Sequence, residues 1–345
     1  MKKITYLIGI ILSFLVLYVQ QSFCCTSFCL RDHKKIIVGN NKDDNVDYGY
    51  WMINKRNVKK TAILLSHDKP AIWITKYGSI THNQSKESPR GGMNEAGLVV
   101  EALTLFATQY PAPDERAAVW IGSWIQYQLD NSASIQDVME SDKHIRITNT
   151  PELLAHFIVV DSAGNTLVVE FLNGKAKFYY GDNLPEECLT NDTYASEIKN
   201  FKKYKYESPS RFATVAYMLD NYKSDNDNSI IDYSYSILDS VRSGNTQDQI
   251  VYDIGERRIY FRTHVSPQIK TVDLSRFNFN CDSPIMMIDA NASYKGDVND
   301  KFVPFDTKIN RDYTIKICHD FGLGVPMEMI LELIKRSENV ICNQK

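Results

Sequence analysis

Residues 20–30 read Gln20-Gln21-Ser22-Phe23-Cys24-Cys25-Thr26-Ser27-Phe28-Cys29-Leu30, and they follow a nearly continuous apolar run from Ile4 to Val19 headed by Lys2 and Lys3. A basic start, a short apolar stretch and a small-residue zone are the parts of an export leader. The apolar run is short for a membrane span, and Phe23 occupies the place where a lipid-modified Cys needs a small residue. The reading is therefore a signal peptide over 1–24, removed to leave one domain over 25–345. It predicts a periplasmic or secreted protein with no stable membrane anchor. Cleavage there would leave Cys25 with both a thiol and a free α-amine. An α-amine has an ordinary pKa of roughly 7.7–8.0, so it can take up the thiol proton near neutral pH without a histidine. On position alone, a disulfide half remains the competing reading of Cys25.

Working outward, the bulk composition narrows the class. A net charge of −3 with no dominant basic cluster excludes a nucleic-acid binder of the usual kind. Seven cysteines in 345 residues are too sparse for a disulfide scaffold, and none has zinc-ligand spacing. One or two disulfides among Cys29, Cys188, Cys281, Cys318 and Cys342 stay unassigned. The seven histidines show no metal spacing either, so no metal and no cofactor is expected. A Cys–His pair assembled by the fold stays open at this point.

Thr26–Leu30 and Ile36–Val38 have strand character around a polar turn. Thr61–Leu65, Ile72–Tyr77 and Gly97–Leu105 are further strands, with a loop over Ser85–Gly92 that ends in the Gly91-Gly92 turn. Trp120, Trp124 and Tyr127 recur at helical spacing within Arg116–Leu129, an amphipathic helix whose aromatic stripe is core. Ser134 with Asp137 resembles a helix N-cap. Leu154–Val160, Thr166–Phe171 and Ala176–Tyr180 are strands. Tyr194–Lys203, Ser210–Tyr222 and Ile230–Val241 are helical. A hairpin follows over Ile250–Asp253 and Arg258–Thr263, then a strand at Ile269–Leu274 and a helix at Val325–Arg336. Strands and helices come in blocks rather than in βαβ alternation, which predicts an α+β layered fold on antiparallel sheets.

The common catalytic signatures G-x-S-x-G and H-E-x-x-H are absent, as is a phosphate-binding glycine loop. Five segments instead carry a resemblance, in order along the mature chain: Cys25-Thr26-Ser27-Phe28, Gly39-Asn40-Asn41-Lys42-Asp43, Gly92-Met93-Asn94-Glu95-Ala96-Gly97-Leu98, Leu189-Thr190-Asn191 and Ser210-Arg211-Phe212. Together with the closing hairpin through Tyr260-Phe261-Arg262-Thr263, they resemble the choloylglycine hydrolase family. That family holds conjugated bile salt hydrolases, penicillin V acylases and related linear amide C–N hydrolases.

The resemblance implies a four-layer αββα N-terminal nucleophile hydrolase sandwich of two stacked, mainly antiparallel sheets. It implies Cys25 as nucleophile, Asp43 as the carboxylate holding its amine, Asn191 as side-chain donor to the oxyanion and Arg211 as a guanidinium close to the sulfur. Thr104 aligns with a second oxyanion donor, acting through its main-chain N–H. Asn40 stands where the family commonly has Arg, and Lys42, two residues on, shares its strand face and can replace the charge. Tyr48, Tyr50, Trp51, Phe106 and Tyr110 are expected pocket walls, with Tyr48, Trp51 and Phe106 the substrate-binding set. The short span between Asn191 and Arg211 looks like the Gram-negative type of the family. It lacks an insert that helps relatives form tetramers, and a homo-oligomer built otherwise stays open. The expected partner is a small-molecule acyl or steroid amide. Conjugated bile salts lead, with penicillin V and N-acyl homoserine lactones as alternatives. An exported binding protein that kept the fold without turnover is the rival from another class.

Overall fold

The computed structural model describes residues 25–33, 35–64, 66, 68–148, 153–207, 210–224, 229–322, 324–338 and 341–343. The expected leader over 1–24 lies outside the described residues. The described elements, in chain order, are β1 (Thr26–Asp32), β2 (Lys35–Asp43), β3 (Tyr50–Asn54), β4 (Val58–Thr61), β5 (Ile72–Ile74), β6 (Ser79–Asn83), β7 (Pro89–Asn94), β8 (Val99–Thr104), β9 (Ala117–Val119), α1 (Ile121–Asn131), α2 (Ile135–Ser141), β10 (Ile145–Ile147), β11 (Ala155–Val160), β12 (Thr166–Leu172), β13 (Lys175–Tyr180), β14 (Cys188–Leu189), α3 (Tyr194–Tyr204), α4 (Arg211–Asp220), α5 (Ile230–Ser240), β15 (Thr246–Asp253), β16 (Arg258–Thr263), β17 (Lys270–Asp273), β18 (Met286–Asp289), β19 (Gly296–Asp297), β20 (Val303–Pro304), α6 (Thr307–Asp320), α7 (Met327–Glu338) and β21 (Ile341–Cys342).

Two large sheets form. The first has seven strands in the order β14-β1-β2-β15-β16-β17-β19, and the second has nine in the order β13-β12-β11-β8-β7-β6-β3-β18-β20. Every pairing in them is antiparallel except β17 with β19. The sheets face each other where β1 and β2 meet β8 and β11. Helices α4 and α5 lie on the outer face of the first sheet, against β1, β2 and β15, and α1 lies on the outer face of the second, against β7 and β8. This is the expected αββα layering.

Strand alternation explains which residues go where. Phe28, Ile37 and Val251 point to the helical layer and pack with Phe212, Val215, Ile237 and Leu238. Cys29, Val38 and Tyr252 point between the sheets and pack with Trp51, Ile80 and Phe261. Phe28 lies over Gly39, where an added Cβ would come within 2.3 Å of its Cζ, so the glycine of that motif makes room for a buried ring. Burial of such a ring is worth about 1.5–3 kcal/mol.

Several expectations hold in place and others shift. Ser134 caps α2 with a reciprocal capping box to Asp137. Trp124 is core, its ring 4.2 Å from that of Phe157. Gly91 and Gly92, expected as a turn, lie inside β7. A Cβ on Gly91 would meet the Glu101 carboxylate at 2.3 Å, and one on Gly92 would meet Ile80 O at the same distance. These glycines therefore permit close packing within the strand rather than a reversal. The strand expected over Thr61–Leu65 ends at Thr61 as β4, and β3 and α6 were not anticipated. Cys281 and Cys342 form a disulfide that ties β21 to the loop before β18, while Cys25, Cys29, Cys188 and Cys318 are free thiols.

Candidate active site

Cys25 precedes β1 by one residue and is buried, at 2% exposure. Its Sγ lies 3.4 Å from the main-chain N of Asp43 and 3.5 Å from the Asp43 carbonyl oxygen. Among the described residues these are its hydrogen-bond contacts, and neither comes from a histidine. Burial pushes the thiol pKa up, the Asp43 charge adds to this, and the Asp43 N–H, Arg90 and Lys42 oppose it. In the uncleaved chain the Cys25 nitrogen is a peptide nitrogen, so a buried thiol beside a carboxylate stays protonated. An ammonium formed there by processing would act in the opposite sense.

Asp43 ends β2 fully buried. Its Oδ2 accepts from the Ser243 hydroxyl at 2.7 Å, and its Oδ1 has no partner among the described residues. The next residue, Asp44, accepts from Gln84 Nε2 at 2.9 Å and lies 3.3 Å from Arg90 Nη2.

Asn191 follows β14, which pairs with β1 at Ser27 and Phe28. The adjacent Thr190 carbonyl accepts from His156 Nε2 at 2.7 Å, and the other ring nitrogen of His156 lies 3.3 Å from Glu170 Oε1. This buried pair fixes the loop that presents Asn191. Asn191 Nδ2 donates to Thr104 O at 2.8 Å, so Asn191 and Thr104 are neighbours as expected. An amide nitrogen has two hydrogens, and that bond uses one.

Arg211 is the first residue of α4, behind Ser210, whose hydroxyl caps the helix by accepting from Ala213 N. Arg211 Nη1 donates to Cys25 O at 2.5 Å and to Thr26 Oγ1 at 2.6 Å, and its Nη2 donates to Asn191 Oδ1 at 3.0 Å. Arg211 thus ties the chain at Cys25 and Thr26 to the Asn191 side chain. Donation into Asn191 Oδ1 also polarises the amide and strengthens its remaining N–H as a donor. Arg90 and Lys42 are positive charges that oppose the rise in the Cys25 thiol pKa.

The inter-sheet face behind Cys25 is charged. The β1–β2 register, Thr26 with Asn41, sets Cys25 beside Lys42, and Lys42 pairs with Asp248. On the facing sheet, His82, Gly91 and Glu101 form one cross-strand row. Lys42, 2% exposed, lies 3.5 Å from His82 Nδ1, and burial lowers its pKa to about 8. Glu101 accepts from Tyr252 and, at 2.8 Å, from Asn40 Nδ2. Burial raises Glu101 to about 7 and Asp248 to about 6. Asn40 is therefore spent behind the site and does not line a pocket: its Nδ2 serves Glu101, and its Oδ1 is buried without a partner. Lys42 does share its face, as expected. Lys42→Met should lower unfolding stability by about 3 kcal/mol by stranding buried carboxylates. It should also move the pH of half-maximal Cys25 alkylation upward, since lost positive charge disfavours thiolate. Glu101→Gln in the same chain should recover part of the stability, and an unchanged denaturant midpoint for Lys42→Met contradicts this electrostatic role.

The expected aromatic walls divide. Trp51, at 1% exposure, sits between the sheets against Phe261 and His82 and is a core residue rather than a wall. Tyr50 is buried with its hydroxyl on Asn310 Oδ1, and Tyr110 is buried with its hydroxyl on Leu153 O. Tyr48 is half-buried under α6: its ring centroid is 4.8 Å from that of Tyr313, Lys316 Nζ lies 4.5 Å above it, and its hydroxyl donates to Asp320. Phe106 is 62% exposed. Ser243, Arg90, Glu101 and the His156–Glu170 pair were not singled out from sequence. Each acts through a partner far along the chain, which no local spacing signals.

Two stacked antiparallel sheets between helical layers, with the cysteine at the entry to an inner strand, are the architecture of the N-terminal nucleophile hydrolases. The family model for linear amide C–N hydrolases, choloylglycine hydrolase family, matches residues 25–209, and the chain belongs to that family of enzymes. A penicillin V acylase of Pectobacterium atrosepticum is 24% identical over 258 residues, which cover 60% of this chain and 69% of that protein. The structure of a penicillin V acylase from Agrobacterium tumefaciens matches with a TM-score of 0.71 at 21% identity, over 82% of this chain and 98% of that one. Two variants of the conjugated bile acid hydrolase from Clostridium perfringens match with TM-scores of 0.63 and 0.64, each at 19% identity. They cover 76% and 79% of this chain, and 96% and 98% of their own.

Proposed function

We propose that the mature protein begins at Cys25 and hydrolyses a small acyl amide of the penicillin V type through that residue. The observation that carries the mechanism is the placement of Cys25 Sγ against the main chain of Asp43, whose buried Oδ1 has no partner. The α-amine takes the thiol proton as the sulfur attacks the amide carbonyl carbon. The oxyanion is held by the second N–H of Asn191 and a main-chain N–H at Thr104. The amine returns the proton to the leaving nitrogen as the C–N bond breaks. Water then attacks the thioester carbonyl carbon and gives a proton to the amine; the C–S bond breaks, the amine returns that proton to the Cys25 sulfur, and the free acid departs. The residues supply every proton transfer this sequence requires.

Two comparisons favour the penicillin V type, one by sequence and one by structure. Tyr48, half-buried under α6, and the exposed Phe106 after β8 are the aromatic residues offered to a compact aryloxyacetyl group in this reading. Conjugated bile salts are the second reading, supported by the likeness to the Clostridium perfringens structures. Penicillin V, glycocholate and a long-chain acyl homoserine lactone should be compared by kcat/KM. Penicillin V should exceed the other two by about tenfold or more, and faster cleavage of glycocholate overturns the assignment. Export is part of the proposal. The Cys281–Cys342 disulfide supports it, because such bonds persist in oxidising compartments.

A further inference from the structure

The turn between α5 and β15 is sewn to the end of β2. Asp44 N donates to Asn245 O at 3.1 Å, Gln247 Nε2 donates to Asp44 O at 3.0 Å, and Thr246 pairs with Asp43. The ladder then shifts register between Thr246 and Asp248, so Gln247 is an extra residue on β15. A bulge of this kind re-aims the side chains beside it. Just before it, Ser243 N donates to Thr246 Oγ1 at 2.9 Å, which holds Ser243 in the turn. Its Oγ accepts from Asn245 N at 3.1 Å and lies 2.7 Å from Asp43 Oδ2. A carboxylate only accepts, so the single hydroxyl hydrogen of Ser243 goes to Asp43.

Fixing one oxygen of a carboxylate fixes the direction of the other. Asp43 Oδ1 is fully buried and has no partner among the described residues, which is costly and needs an explanation. The group closest in chemistry is the α-nitrogen of Cys25, whose sulfur already touches the Asp43 main chain. We propose that Ser243 is a positioning residue: by holding Asp43 Oδ2 it turns Oδ1 onto the α-amine of Cys25 and keeps that amine in line for its proton transfers. The inference rests on the reading of Cys25 as an N-terminal nucleophile.

A purely structural role for Ser243, as a turn residue after α5, would lower thermal stability and leave the pH profile alone. A positioning role moves the profile. Releasing Asp43 from the amine removes a partner from the ammonium, so the amine pKa falls and the acid limb of kcat/KM moves to lower pH. Ser243→Ala should lower kcat about tenfold with KM little changed and shift that limb acidward. Ser243→Thr, which keeps the hydroxyl, should restore both. Ser243→Cys, nearly the same volume with a weak donor, should shift the limb in the same direction and serves if the alanine variant does not fold. An unshifted limb and unchanged kcat in Ser243→Ala or Ser243→Cys, beside an inactive Cys25→Ala, overturn the role of Ser243 alone. Retained activity in Cys25→Ala overturns the nucleophile reading and this inference with it.

Discussion

Cys25→Ala is expected to abolish amide hydrolysis while leaving a folded protein. The fold tolerates the change because Cys25 lies at the edge of β1, and the ladder with β2 begins at Thr26. The chemistry does not tolerate it, because no other nucleophile shares the position. The Ser27 hydroxyl is engaged, donating to Gly39 O at 2.9 Å. Cys29 lies between the sheets, with its thiol pushed up to about 12 by burial. Removal of a covalent nucleophile costs about 10⁶-fold in kcat where it has been isolated, so activity should fall below detection. Cys25→Ser should be nearly as poor. A hydroxyl is far less acidic than a thiol, and an amine of pKa near 8 is a weak base for it. The check is turnover beside a thermal unfolding curve. Activity within about tenfold of the wild type contradicts a nucleophilic role.

Asn191→Ala is the second large effect. Its Nδ2 is the side-chain donor nearest Thr104, and Arg211 polarises it from behind. Loss of one oxyanion donor costs about 10²–10³ in kcat, with little change in KM because the donor acts on charge that develops in the transition state. Asn191→Asp should be at least as damaging, since it places a negative charge against the oxyanion. A change confined to KM would mean that Asn191 binds substrate rather than the tetrahedral intermediate.

The parts of this arrangement legible in the sequence were those in which local chemistry and local structure agree. Ser210–Tyr222 reads as helical and is so from Arg211 to Asp220, with Ser210 as its cap, which sets Arg211 at a helix start. Thr26–Leu30 reads as a strand and is one, with all five residues buried. The stretch Gly39–Asp43 was legible only by resemblance. Asn40, Asn41, Lys42 and Asp43 are polar on both faces, yet all are buried in β2 because distant partners engage them: Glu101, the Leu238 carbonyl, His82 and Ser243. No alternation can reveal such a strand. Helix α6 escaped for the opposite reason. Of its residues, Asn310 and Ile317 are buried, so its apolar signal is thin, although Asp306 caps it. Trp51 was misjudged because an aromatic residue near a catalytic segment suits a pocket wall and a core equally well. The register of β3 with β6 turned it inward beside His82.

The charged layer behind Cys25 gives this chain its own electrostatic setting. Lys42 faces Cys25 on β1, Asp248 on β15, His82 on β6, Arg90 on β7 and Glu101 on β8. The positive charge near the thiol thus comes from the inter-sheet side, while Arg211 acts on the donor side.

The most direct measurement is the N-terminal sequence of the mature, active protein by mass spectrometry, before and after a brief reaction with substrate. The account predicts a chain that starts at Cys25 and, during turnover, carries the acyl mass on its first residue. An active chain that retains residues ahead of Cys25 would contradict it.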